Sequence, residues 1–86
     1  MTRNIVLVLI GKRNDAAVNV QKILTGWGCF IKTRLGIHDG VLENCSDEGL
    51  LFLEMVGDTE KHEELVRKLK LIKSVDAKLI KLELTD

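Results

Sequence analysis

The chain has 86 residues, 13 basic and 13 acidic side chains that cancel to zero net charge, and a hydrophobic share of 45%. That length makes one domain, residues 1–86. A neutral chain lacks the phosphate-neutralising charge that dominates nucleic-acid affinity, so direct nucleic-acid binding is not expected. Only two cysteines are present, Cys29 and Cys45, which excludes a disulfide framework.

The first element is a continuous apolar run from Ile5 to Ile10, read as a central strand covered on both faces. Met1-Thr2-Arg3-Asn4 precedes only six apolar residues, too few for a signal peptide or a membrane span. A cytoplasmic chain follows from that reading. Gly11 to Asn14 is the turn after this strand, with Asn14 or Asp15 as the cap of a helix. Val20, Ile23, Leu24 and Trp27 recur at helical spacing. Gly26 and Gly28 are expected to end that helix in left-handed conformations. Cys29 is read as a core residue.

Phe30 to His38 is the second strand. Its odd positions, Ile31, Thr33, Leu35 and Ile37, are mostly apolar and are expected to face the helices. Phe30, Lys32, Arg34, Gly36 and His38 are then expected on the opposite face. Asp39 to Gly49 is a long connection by the standard of hairpins. Leu50 to Val56 is a second strongly apolar strand, interrupted by Glu54. Gly57-Asp58-Thr59 leads into a helix with acids early and lysines late, as its dipole favours. Leu65, Val66, Leu69 and Ile72 are its buried stripe. Ala77 to Leu84 is the last strand.

The first and third strands are the most apolar, while the second and fourth alternate. A ferredoxin-like βαββαβ sheet, ordered 4-1-3-2 with two helices on one face, requires this distribution. Its other face would carry Leu50, Phe52, Glu54 and Val56 with further aliphatic residues of strand one. Monomers rarely leave so large an apolar patch exposed. A homo-oligomer, dimer or tetramer, is therefore expected, with Phe30, Leu50, Phe52 and Val56 at the interface. The competing reading is a monomer with a greasy face.

Three groups of residues are candidates for chemistry. His38 and Cys45 are ligand types for nickel, zinc or iron. One of each cannot fill a four-ligand site, so a transition metal would need a second protomer or carboxylates. The incomplete set favours a solvated loop with a free thiol. Arg34 with Gly36 leaves room for a planar anion beside a guanidinium. A cross-strand ion pair with Glu54 is the favoured competitor. The turn at Asn14 precedes a helix N-terminus, a place that can hold an anion. His62 opens the second helix, away from these groups. No nucleophile with a base and no nucleotide-binding loop is visible, so catalysis is not expected.

Lys32-Thr33-Arg34-Leu35-Gly36-Ile37-His38, Gly49-Leu50-Leu51-Phe52-Leu53-Glu54 and the segment from Lys68-Leu69 to Ile72 and Val75 resemble a known family. These are the ACT-like regulators of the iron-only hydrogenase system, which are similar to the C-terminal metal-sensing domain of the nickel-responsive repressor NikR. The resemblance covers nearly the whole chain. It implies an oligomeric, ligand-responsive regulatory module with an ACT-like fold, whose candidate ligand residues are those of the groups above, Asn14, Arg34, Gly36 and His38. Two departures stand out. The connection after His38 is longer than in the hydrogenase-associated members, which tend to carry proline there, and the repressor's full set of metal histidines is missing. No ribbon-helix-helix segment is recognisable, so an effect on transcription would pass through a separate partner.

Overall fold

The computed structural model describes residues 1–11, 15–38 and 49–85. Its elements follow the chain as β1 (Thr2–Ile10), α1 (Ala16–Gly26), a short 3-10 turn (Gly28–Phe30), β2 (Ile31–His38), β3 (Gly49–Met55), α2 (Thr59–Lys70) and β4 (Val75–Glu83). The four strands form one antiparallel sheet in the order β2-β3-β1-β4. This is the ferredoxin-like, ACT-like βαββαβ arrangement. The two most apolar strands lie in the middle because each buries side chains toward the helices and shields neighbours on both edges.

Even positions of β1 and odd positions of β3 point at the helices. Val6, Val8, Leu53, Leu65, Leu69 and Val20 are sealed from solvent between the two layers. Each such side chain contributes about 1.5–3 kcal/mol relative to leaving it exposed. Along α2, Leu65 and Leu69 are fully buried, while Val66 and Ile72 pack half-buried on the same cluster. In α1 the equivalents are Val20 and Leu24, with Ile23 and Trp27 at the rim.

Several local details depart from the sequence reading. Asp15 takes the N-cap position of α1, as one of the two residues expected there, whereas the C-cap position falls to Trp27. Gly26 and Gly28 do not end the helix through left-handed conformations. Among the described glycines, Gly57 alone has a positive φ, at 90°. The chain instead tightens into the 3-10 turn, where Phe30 N–H reaches the Trp27 carbonyl at 2.9 Å. The rings of Trp27 and Phe30 pack at 5.4 Å between centroids, tilted by 50°. Cys29, expected in the core, is exposed on this turn. Phe30 belongs to the turn rather than to β2, and it packs half-buried on the core cluster instead of on the open sheet face.

Gly57 and Gly11 answer different needs. Gly57 holds φ 90° beneath the Phe30 ring, where a Cβ would stand 3.1 Å from Phe30 Cδ1. Gly11 lies against Ser74, whose carbonyl accepts its N–H at 2.8 Å, and a Cβ there would collide with Ser74 Oγ. Ser74 itself has φ 67°, an uncommon conformation for a residue with a Cβ.

Candidate functional site

A β-bulge in β2 decides which side chains are available. Ile31 stands opposite Met55 and Thr33 stands opposite Glu54, so Lys32 is an extra residue in the ladder. An inserted residue reverses the facing of everything after it. Leu35 and Ile37 consequently lie opposite Phe52 and Leu50 on the open face. Arg34 and Gly36 lie opposite Leu53 and Leu51, in the row that shares the helix side, and His38 pairs with Gly49 in the ladder. This corrects the expected facing of the strand. It does not bury the row, because Arg34 and Gly36 remain exposed on the edge strand.

Glu54 therefore cannot be Arg34's partner, since the two side chains occupy opposite faces. Glu54 is engaged by Arg3 instead, with Arg3 Nε donating to Glu54 Oε2 at 2.7 Å. Arg34 has no hydrogen bond or ion pair with another described residue. It keeps five N–H donors in a planar fork suited to a carboxylate or phosphate. Beside it, a Cβ at Gly36 would stand only 3.3 Å from Leu51 Cδ2, so a larger residue would crowd the strip. Asn14 and Cys45 lie outside the described residues, as does the His38 side chain. Among the described residues no group of three or more His, Cys, Asp or Glu could hold a metal ion.

The open face of the sheet forms a second surface. Register places Leu35, Phe52, Leu7 and Lys78 in one row across the four strands, and Ile37, Leu50, Leu9 and Asp76 in the next. A third row holds Thr33, Glu54, Ile5 and Ile80. Beyond it come Val56, Arg3 and Leu82. Leu35, Leu9 and Leu82 are each more than half exposed.

A third group was not recognised in the sequence. His62 is 1% exposed and Asn4 is 6% exposed at one end of the core. His62 Nε2 lies 2.7 Å from the Val56 carbonyl. A carbonyl can only accept, so Nε2 carries the proton and donates it. His62 Nδ1 then accepts from Asn4 Nδ2 at 2.9 Å. The second amide hydrogen of Asn4 goes to Thr59 Oγ1 at 3.1 Å. Asn4 Oδ1 is buried without a partner among the described residues. This network ties β1 to the end of β3 and to the first turn of α2. Asn4, Thr59 and His62 also line an open cavity of about 420 Å³, of mixed polar and apolar character, together with Arg3, Lys32 and Glu54. Periodicity offered a signal: His62 precedes Leu65, Val66 and Leu69 on the buried stripe, and Asn4 shares the inward parity of Val6 and Val8.

No protein-family model matches the chain, and no curated protein does. Solved structures do resemble it. An uncharacterized protein from Thermotoga maritima superposes with a TM-score of 0.79 at 25% identity, covering 96% of this chain and all of that one. The ACT domain from the GTP pyrophosphokinase of Chlorobium tepidum superposes in its crystal form with a TM-score of 0.60 at 15% identity. That match covers 93% of this chain and 97% of that one. Its solution structure gives 0.56 at 15% identity, over 99% and 89% of the two chains. These likenesses establish the fold over the whole described chain. Among the described residues no helix is long and apolar enough to cross a membrane.

Proposed function

We propose that this chain is a ligand-responsive, ACT-like regulatory domain that works as a homo-oligomer and carries out no catalysis itself. The observation that carries the proposal is the end-to-end correspondence with an ACT domain, 93% of this chain on 97% of that one. The arrangement of β2 supports it and suggests where a ligand would bind. Arg34 presents a guanidinium that bonds to no other described residue, on an exposed strip beside Gly36, and His38 follows two residues on in β2. The ligand class that fits Arg34 is a small carboxylate or phosphate. A transition metal held by His38 and Cys45 across a subunit interface is the alternative ligand. In this reading the domain has no DNA-binding segment, acts in the cytoplasm and passes its signal to a protein partner.

A thermal-shift screen tests the proposal, using small carboxylates, amino acids, inorganic phosphate and the divalent ions of nickel, zinc and iron. A ligand at 100 times its Kd adds about 2.7 kcal/mol of stability. In a domain of this size that raises Tm by roughly 10 °C or more. The expected result is a shift with one ligand class that Arg34→Ala abolishes. Metal-driven shifts lost in Cys45→Ser would replace Arg34 with the metal pair. No shift with any probe would refute ligand sensing and leave a plain interaction subunit.

A further inference from the structure

We propose that the groove between α1 and the end of α2 docks a short acidic segment of another protein, one that presents an apolar side chain between carboxylates. The inference gives the partner of the regulatory reading above a place and a chemistry, and it rests on that reading only for the partner's role. The groove holds about 520 Å³ and is lined by Asn19 and Ile23 of α1 together with Lys68, Leu71, Ile72 and Lys73. Ile23 and Ile72 are the half-buried part of this lining, because both pack on the core cluster. Leu71 stands beside them at 85% exposure, the highest of any large apolar side chain among the described residues. It directly follows α2, and its N–H closes the helix on the Lys68 carbonyl at 3.3 Å. Its backbone serves the fold, while its side chain is left almost wholly to solvent.

The charges around the groove choose the partner. Arg67, Lys68 and Lys70 occupy the last turn of α2, and Lys73 follows shortly after it. None of these has an ion pair with another described residue. The acids of α2 stand toward its other end, where Glu63 pairs with Lys81 and Glu64 with Lys61. Asp15 is the one acid among the described residues that line the groove, and it is engaged already. The negative end of the helix dipole accounts for lysines here. It does not account for a leucine left in water beside them. An acidic segment answers both features. Its carboxylates would reach Lys68 and Lys73 at the rim, and an apolar side chain between them would cover Leu71 and Ile23. Apolar anchors in a groove with complementary charge at its edge are a general mode of peptide recognition. A basic segment would meet only like charges at the rim and is excluded by them. The concave shape favours a protein segment over a flat lipid surface.

Fluorescence anisotropy with labelled peptides tests the proposal. One peptide sets leucines among glutamates, a second replaces its glutamates by lysines, and a third replaces its leucines by alanines. The glutamate–leucine peptide is expected to bind wild type with a Kd below about 100 μM, and the other two at least about 10-fold more weakly. Leu71→Ser is expected to weaken binding about 10-fold, the factor that burying most of a leucine supplies. Lys68→Glu and Lys73→Glu are each expected to weaken it at least about 5-fold, since an attraction becomes a repulsion. Lys61→Glu makes the same change of charge at the other end of α2, beyond a Debye length, and is expected to leave binding within about 2-fold. All four substituted side chains are exposed, so the variants keep the fold, with circular dichroism as the check. Absence of binding by the glutamate–leucine peptide would overturn the proposal. So would equal binding of the lysine peptide, or an equal loss in Lys61→Glu, which would reduce the effect to charge without a place. Binding of phosphatidylserine vesicles in place of the peptide, abolished by the same variants, would make the patch a membrane contact and overturn the proposal as well. The assay contains no small ligand. Its failure therefore leaves ligand sensing at Arg34 standing, and a failed thermal-shift screen leaves the groove standing.

Discussion

Replacing His62 by alanine tests whether the buried polar network holds the end of α2 to the sheet. The imidazole is 1% exposed and serves two partners, the Val56 carbonyl and Asn4 Nδ2. Its removal leaves the Val56 carbonyl without its donor. That orphan costs about 1 kcal/mol, the low end of the usual range, because Val56 is partly exposed and water can reach it. Asn4 Nδ2 keeps Thr59 Oγ1 but loses its shorter bond. With Asn4 already carrying an unpartnered Oδ1, that second loss adds about 1 kcal/mol. The void left by the ring adds about 1–2 kcal/mol. The expected destabilisation is therefore about 3–4 kcal/mol, set against a total stability of roughly 4–13 kcal/mol for a chain of this length. Urea unfolding followed by the fluorescence of the single tryptophan, Trp27, measures it. Protein concentration must be held fixed, because an oligomer's stability depends on it. Glu63→Ala is the control. Glu63 pairs with Lys81 at 3.2 Å while about half exposed, so its loss should move stability by no more than about 0.5 kcal/mol. A His62→Ala loss below about 1 kcal/mol would refute the claim that both ring nitrogens are engaged.

Three further outcomes follow from the same geometry. Gly57→Ala should cost about 1–2 kcal/mol by urea unfolding, because φ 90° suits only glycine and the Cβ would press on Phe30. Ser74→Gly should stabilise by about 1 kcal/mol by relieving φ 67°, and loss of stability would mean that its hydroxyl matters more than its backbone. Arg34→Ala should change stability by less than about 0.5 kcal/mol in the same melt, since its side chain bonds to no other described residue. A larger change would assign Arg34 a structural task.

What the sequence disclosed depended on whether one residue type or a whole arrangement carried the signal. The central places of β1 and β3 were legible because burial on both faces demands unbroken apolar runs. The stripes of α1 and α2 were legible because Val20, Leu24, Leu65 and Leu69 repeat at helical spacing. The facing of β2 was not, since alternation from Ile31 to Ile37 continues smoothly through Lys32 and gives no sign that one residue is extra. That single insertion moved Leu35 and Ile37 to the open face and Arg34 to the other. It also separated Arg34 from Glu54, which turned to Arg3 on the neighbouring strand. The Asn4–His62 pair was hidden for another reason. Each residue alone reads as polar and exposed, and only the fold joins positions 58 residues apart in sequence so that each satisfies the other.

Native mass spectrometry of protein purified without chelator tests the account most directly. The expected result is an assembly of two or more 9.7 kDa chains that retains a small acid or a metal ion in integral stoichiometry. A bare monomer would contradict both the covered sheet face and the bound ligand.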